Sequence, residues 1–538
     1  MILKQIEIRN FRGIAFLSLA CRQTSLLIGE NTWGKSSLLD AITLMMSPGN
    51  ESFRLEEADF FRPQADRPAA TCLIELTFGP ASPDERVPES LSDLLPGDTP
   101  DHGLRFSFTG QRHESGVTQD FAFPDYPHLA PSMVHQLIQH LRALCPVLRL
   151  RDARFSPPVS ALLPPAVVHL SDQASATRLL QGKDTLQGED VLQQALILLC
   201  RLSGHYFHIR AGGGLSGLPV SGEKNELLWL QLNELNRKLA KTARQDRAAV
   251  LHALLKLLTG ASTVIPLTEQ ASPLILLEDP ETRLHPRMLS MMWQFLALLP
   301  AQKVVTTNSS DLVSMVPLES IYRLDRYQDI TRCWHIPDEG MSRDELRKVT
   351  FHIQVNRPSA LFARCWLLVE GETEVWLINE LARQTGFSLA PEGIRVVEFA
   401  QSGLKPLLRF AAHMGIRWHV LTDGDEAGAK YAAIATSNLS GPQKERHHLT
   451  RFPAPDIEHY FYRNGFAEVY HHAAQLPAHG QGGIRRVITR AIQHSSKPSL
   501  AIAVANEVAE RGSQSIPLLL RKMMARVRGL ARGRYDES

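Results

Sequence analysis

Two acidic clusters, VEGETE at 369 to 374 and DGDEAG at 423 to 428, each follow an apolar run, CWLLV and RWHVLT. Such runs read as buried strands of a parallel sheet, whose ligand sites form at the carboxyl ends. Glu370 closes the first strand, and Glu374 lies in the turn or first helical turn after Gly371. Asp423 and Asp425 are two apart, so in an extended segment they face the same side. Oxygen ligands of this kind suit Mg2+ or Mn2+ and do not by themselves select zinc. Two such cations would activate a water and stabilise the leaving oxygen of a phosphodiester. A helix cap at Glu370 and Glu374 and an ordinary turn at 423 to 425 are the plain alternatives. The joint occurrence, in matching strand contexts, points to the metal site.

A second chemistry lies far upstream. GENTWGKSS at 29 to 37 matches GxxxxGK[ST] through Gly29, Gly34, Lys35 and Ser36, after the strand-like SLLIG and before the amphipathic SSLLDAITLMM. Backbone N–H groups of this loop, with Asn31 and Ser37 among its residues, would cradle phosphates of ATP. Lys35 would reach the β/γ-phosphates and Ser36 would bind magnesium. In PLILLEDPE, at 273 to 281, Glu278 and Asp279 end a buried strand. One acid would hold magnesium through water, and the other would orient or deprotonate the attacking water.

The 538 residues exceed one typical domain, and 44% hydrophobic content suffices for more than one core. MILKQIEIRNF at the start has no basic leader and long apolar core, and no run reaches the length of a membrane span. The expectation is a soluble, cytoplasmic protein with no membrane contact. Six scattered cysteines lack metal-ligand spacing and read as reduced core residues. Lys and Arg number 58 against 56 Asp and Glu, so any DNA contact must be local.

MILKQIEIRNFRGI, the phosphate loop and LLEDPETRLHP together resemble the ABC-type ATPase heads of DNA-repair and chromosome-structural proteins. The resemblance implies a homodimer closing around ATP, with Ser221, Gly222 and Glu223 of PVSGEKNELL at the signature segment; a plain glycine-containing helix start fits those residues equally well. It also implies a switch histidine after the strand KVVTTNSS, where this chain has Asn308. Asn can donate to a phosphate but takes up no proton near neutral pH. With Asp279 where many such ATPases have Glu, slow or regulated hydrolysis is expected. Residues 1–155 are expected to form the first part of the ATPase, 156–215 a helical insertion or dimerisation arm, and 216–350 its second part. In VLRLRDARF, phosphate contacts by Arg149, Arg151 and Arg154 are weighed against a solvated strand face, and the solvated face is favoured.

From 365 onward, strands CWLLVE, IRVVEFA and RWHVLTD alternate with helices, and Gly386 and Gly415 stop the first two helices. This rhythm predicts a parallel α/β domain over 360–538 and, with the acidic pattern, resembles the Toprim domain. An ABC-type head followed by Toprim is similar to the OLD (overcoming lysogenization defect) family of ATP-dependent nucleases. That family has a further acid and a lysine after its Asp-x-Asp strand, which implies Asp456 and Glu458 in APDIEHYF and Lys497 in HSSKPSLAIAVA. Glu370, Asp423 and Asp425 would be primary ligands, Glu374 and Glu458 would complete a second metal's site, and Lys497 would stabilise charge on the phosphate. A lysine at a helix start is the plain alternative for Lys497. Arg521, Lys522, Arg526, Arg528, Arg532 and Arg534 in the tail, with Arg485, Arg486 and Arg490, bias positive charge toward this half; backbone contacts to DNA and a solvated helix face both fit. The expected function is an ATP-binding, metal-dependent DNA endonuclease or nickase in repair or defence, with an unidentified partner protein left open. Its rival is an ATP-gated DNA clamp whose Toprim domain does not cut.

Overall fold

The computed structural model describes residues 1–46, 54–63, 68–81, 88, 91, 95, 103–114, 116–150, 222–241, 271–282, 284–327, 330–441, 443–477 and 483–534. The segment 156–215, with Arg151, Arg154 and Ser221, lies outside them. The chain forms two compact units, Met1–Trp334 and His335–Ser538.

The first unit contains strands β1 (Ile2–Phe11), β2 (Ile14–Ala20), β3 (Thr24–Ile28), β4 (Thr71–Gly79), β5 (Leu104–His113), β6 (Gly116–Ala122), β7 (Val147–Leu150), β8 (Leu274–Glu278), β9 (Gln302–Thr306), β10 (Ile321–Tyr327) and β11 (Ile330–Trp334). They build two sheets. An antiparallel one runs β2-β1-β4-β5-β6, and its strands alternate: Ile6 and Ile8 are buried while Arg9 is exposed. The other runs β11-β10-β3-β9-β8-β7 and is parallel except at β11. Here β8 and β9 are buried along their whole length, as strands covered on both faces must be. The helix Lys35–Met46 shares one apolar core with both sheets, joining Leu38 and Ile42 to Ile74, Phe106, Leu276 and Val304.

The second unit has an all-parallel sheet of β12 (Cys365–Val369), β13 (Ile394–Glu398), β14 (Arg417–Thr422) and β15 (Leu449–Arg451), in the order β13-β12-β14-β15. Helices Glu372–Gln384, Leu404–His413 and Glu426–Ser437 follow the first three strands in sequence. Gly386 and Gly415, expected to end helices, have φ of 86° and 61°, the left-handed conformation that suits a residue without Cβ. C-terminal helices Ile484–His494, Lys497–Arg511 and Leu518–Ala531 add Val487, Val504 and Met523 to the core around β12. A phosphate-loop α/β unit followed by a Toprim-type parallel α/β unit is thus the fold class, as the sequence predicts. No helix among the described residues is long and apolar enough to cross a membrane.

Candidate functional site

In the first unit β3 delivers Gly29 at its carboxyl end, and the chain turns through Asn31 to Gly34 before entering the helix at Lys35. Gly34 has φ of 92°, and a Cβ there would stand 2.7 Å from Cγ1 of the buried Ile14, so the turn requires glycine. Lys35 is only 2% exposed; its ammonium donates to the Gly29 carbonyl and, at 2.6 Å, to Oδ1 of Asn308. Burial lowers the Lys35 pKa, an effect opposed by Asp279, Glu281 and Glu30. Ser36 is exposed and Ser37 half-buried in the first helical turn. Asn308, just beyond β9, also donates from Nδ2 to Oδ1 of Asn31 at 3.0 Å. The loop residues, Asn308 and the acids at the end of β8 therefore gather at one sheet edge.

The two acids named from the sequence differ in state. Glu278 is buried and ion-paired at 2.7 Å with Arg149, which reaches Asp40 of the phosphate-loop helix at 2.6 Å. Arg12 also pairs with Asp40 and, at 2.9 Å, with Asp59. Arg149 corrects the solvated-face reading: its side chain is 9% exposed because two carboxylates draw it inward. Burial opposes its charge, but Asp40 and Glu278 more than offset this and raise its pKa. Asp279 has φ of 39°, and its Oδ1 accepts the Thr306 hydroxyl at 3.0 Å. Glu281 was not singled out from the sequence. It accepts from the Asn308 backbone N–H at 2.6 Å and the Thr307 hydroxyl at 2.8 Å, and burial raises its pKa against these bonds. Its signal was available in the third acid of LLEDPE. Of the signature segment, Gly222 and Glu223 begin the helix Gly222–Lys241.

In the second unit Glu370 directly follows β12, and Asp423 and Asp425 follow β14, its hydrogen-bonded neighbour. Glu374 lies in the first turn of Glu372–Gln384, where it accepts the Gly371 N–H at 3.0 Å. Asp425 caps the helix Glu426–Ser437, accepting the Gly428 N–H at 2.7 Å. Of the caps expected on the plain reading, the Glu374 bond exists, Oε2 of Glu370 has no hydrogen-bond partner among the described residues, and the 423 to 425 turn leads into the helix that Asp425 caps. Glu458 is 4% exposed, and its Oε1 meets Lys497 Nζ at 3.3 Å. Asp456 accepts both the backbone N–H and ring Nδ1–H of His459 at 2.7 Å.

Electrostatics tie these groups into one cluster. Burial, then Glu370, Glu374, Asp456 and Glu458, push Asp423 up to about 8. Burial and Asp425 raise Glu370, and burial and Glu458 raise Glu374. Partial burial works against the Lys497 charge, but Glu458, Glu374 and Asp456 raise its pKa overall. Oε2 of Glu370 and Oε2 of Glu458 are buried without a hydrogen-bond partner. Among the described residues no three Asp, Glu, His or Cys side chains already stand close enough together to hold an ion. Nonetheless the donor set fits a hard divalent cation: its atoms are oxygens, two are orphaned, and their mutual repulsion is what positive charge would relieve.

Comparison with known proteins gives one family match that ends within the second unit and a second match that lies inside it. Residues 1–360 match the model of a protein family of unknown function, DUF2813, and 361–425 match the Toprim domain of overcoming lysogenization defect protein-like proteins. The uncharacterized protein YbjD of Escherichia coli strain K12 is 43% identical over 554 residues, covering 100% of both chains. Among solved structures, the SMC head domain from Thermotoga maritima covers 63% of this chain and 100% of its own at 13% identity, TM-score 0.31. The C-terminal region of the Burkholderia pseudomallei OLD protein covers 32% of this chain and 99% of its own at 17% identity, TM-score 0.28. With end-to-end similarity to one relative and family matches on both units, the chain belongs to the DUF2813 family and carries an OLD-like Toprim domain.

Proposed function

We propose that this protein is an ATPase and a metal-dependent DNA endonuclease or nickase, acting as a homodimer in repair or defence. The observation that carries the nuclease reading is the carboxylate cluster at the carboxyl edge of the parallel sheet, with Asp423 driven up to about 8 and Lys497 as its cation. Glu370, Asp423 and Asp425 would be primary ligands of Mg2+ or Mn2+, and Glu374 and Glu458 would serve a second ion. When bound, such ions supply an activated water and charge stabilisation at the leaving oxygen. Lys497 is half-exposed, so its ammonium can leave Glu458 for a phosphate and offset the charge that develops there. In the first unit Lys35, Ser36 and the loop N–H groups would hold ATP, and Asp279 would orient water. Glu278, ion-paired with Arg149, would act on magnesium through water.

The test is nicking of supercoiled plasmid with Mg2+ or Mn2+, with and without ATP. Asp423→Ala should lower cutting on the order of 100-fold or more. Lys35→Ala should abolish ATP turnover; if it still cuts, ATP regulates cleavage without joining its chemistry. No cutting by wild type with either metal, alongside intact ATP-dependent DNA binding, would replace the nuclease with the clamp.

A further inference from the structure

Glu281 lies outside the acid pair that the sequence singles out, yet both of its oxygens are committed. Pro280–Thr282 forms a short turn after Asp279, and from it Glu281 spans to the end of β9. Oε1 accepts the Asn308 N–H at 2.6 Å and Oε2 accepts the Thr307 hydroxyl at 2.8 Å. The Asn308 side chain then touches the phosphate loop twice, accepting from Lys35 at 2.6 Å and donating to Asn31 at 3.0 Å. A carboxylate thus fixes a backbone, and that backbone fixes the amide that holds the loop's lysine.

We infer that Glu281 is a positioning residue of the nucleotide site, acting through Asn308 to set how tightly the terminal phosphate is held. The inference rests on the ATPase reading. A terminal phosphate draws Lys35 away from Asn308, whose amide then turns its Nδ2 toward the phosphate, provided the backbone at 308 stays in place. Glu281 holds that backbone with charge-assisted bonds. A nucleotide without the terminal phosphate does not engage this device.

The experiment measures affinity for ADP and for a slowly hydrolysed ATP analogue, together with kcat and KM for ATP. The full-length variants are Lys35→Ala, Asn308→Ala, Glu281→Ala, Glu281→Gln and the Glu281→Ala/Asn308→Ala double, each with thermal unfolding alongside. Glu281→Ala should weaken analogue binding about tenfold, as expected for losing bonds to a charged group, and leave ADP within about twofold. Asn308→Ala should match it, and the double variant should be no worse than either. Glu281→Gln can accept from the Asn308 N–H and donate to the Thr307 oxygen, so it should restore analogue affinity and kcat. Equal weakening of ADP and analogue, additive losses in the double, or a Gln variant as slow as the Ala variant would each overturn the inference; the last would mark a direct base. Should Glu281→Ala not fold, the Gln and Asn308→Ala arms still decide. If the wild type binds neither nucleotide, or Lys35→Ala binds both unchanged, the ATPase reading itself fails, an outcome distinct from a silent Glu281.

Discussion

At the scale of single residues, Asp279 shows how conformation and chemistry compete for one position. Read from the sequence, Asp in place of Glu is a loss of reach. In the fold its φ of 39° lies in the left-handed region, where Asp and Asn are tolerated better than other residues with a Cβ. Asp279→Glu should therefore lower stability by about 1 kcal/mol, while Asp279→Asn should leave it nearly unchanged, as followed by denaturant unfolding. Turnover should not rise in the Glu variant, because the backbone it needs is the one it disfavours. Glycines, lysine and acids of both sites were legible in the sequence because motif spacing and a preceding apolar run are local signals. Arg149 was not, since its partners Asp40 and Glu278 are 109 and 129 positions away. Nor was the Glu281 bracket, which spans two strand ends 27 positions apart.

At the scale of elements, the strand and helix rhythm of the second unit was readable because CWLLV is a continuous apolar run and IRVVE and RWHVLT carry the apolar pairs VV and VL between helical segments. The short β15 was missed, since LTR carries no apolar run of its own and owes its place to pairing with β14. That pairing depends on a buried histidine. His419 of β14 donates from Nδ1 to the His447 carbonyl at 2.7 Å and accepts at Nε2 from the Thr450 hydroxyl at 2.9 Å, which uses both nitrogens of the neutral ring. Burial lowers its pKa to about 3. Between that value and about 6.5 the unfolded chain binds the proton and the folded one does not, so stability falls as pH drops through this window. From pH 7 to pH 5 this residue should cost about 2 kcal/mol. Comparing unfolding of wild type with His419→Gln, whose amide can make both bonds, should show a flatter pH dependence in the variant.

At the scale of the whole molecule, the near-balance of charge makes its distribution decisive. Arg528 and Arg532 of the tail are paired with Glu392 at 2.7 Å and 2.9 Å, so they fasten the last helix to the segment before β13. Arg485 and Arg486 are exposed on the helix Ile484–His494 and form no ion pair among the described residues. Replacing both with Ala should weaken DNA binding and reduce the slope of log affinity against log salt by about 2, whereas Arg528→Ala should lower stability and spare the slope. Binding titrations across a salt series distinguish the two.

The central position of β3 also governs when the first unit can form. Both of its neighbours, β9 and β10, are made of residues 302–327, whereas β3 itself ends at Ile28. During synthesis at about 5–20 residues per second, this apolar strand waits roughly 15 to 55 s for residue 302 to follow it. The phosphate loop can take its final shape only after β9 and β10 have been made. For that interval the nascent chain carries an unpaired hydrophobic strand, the species that chaperones exist to shield.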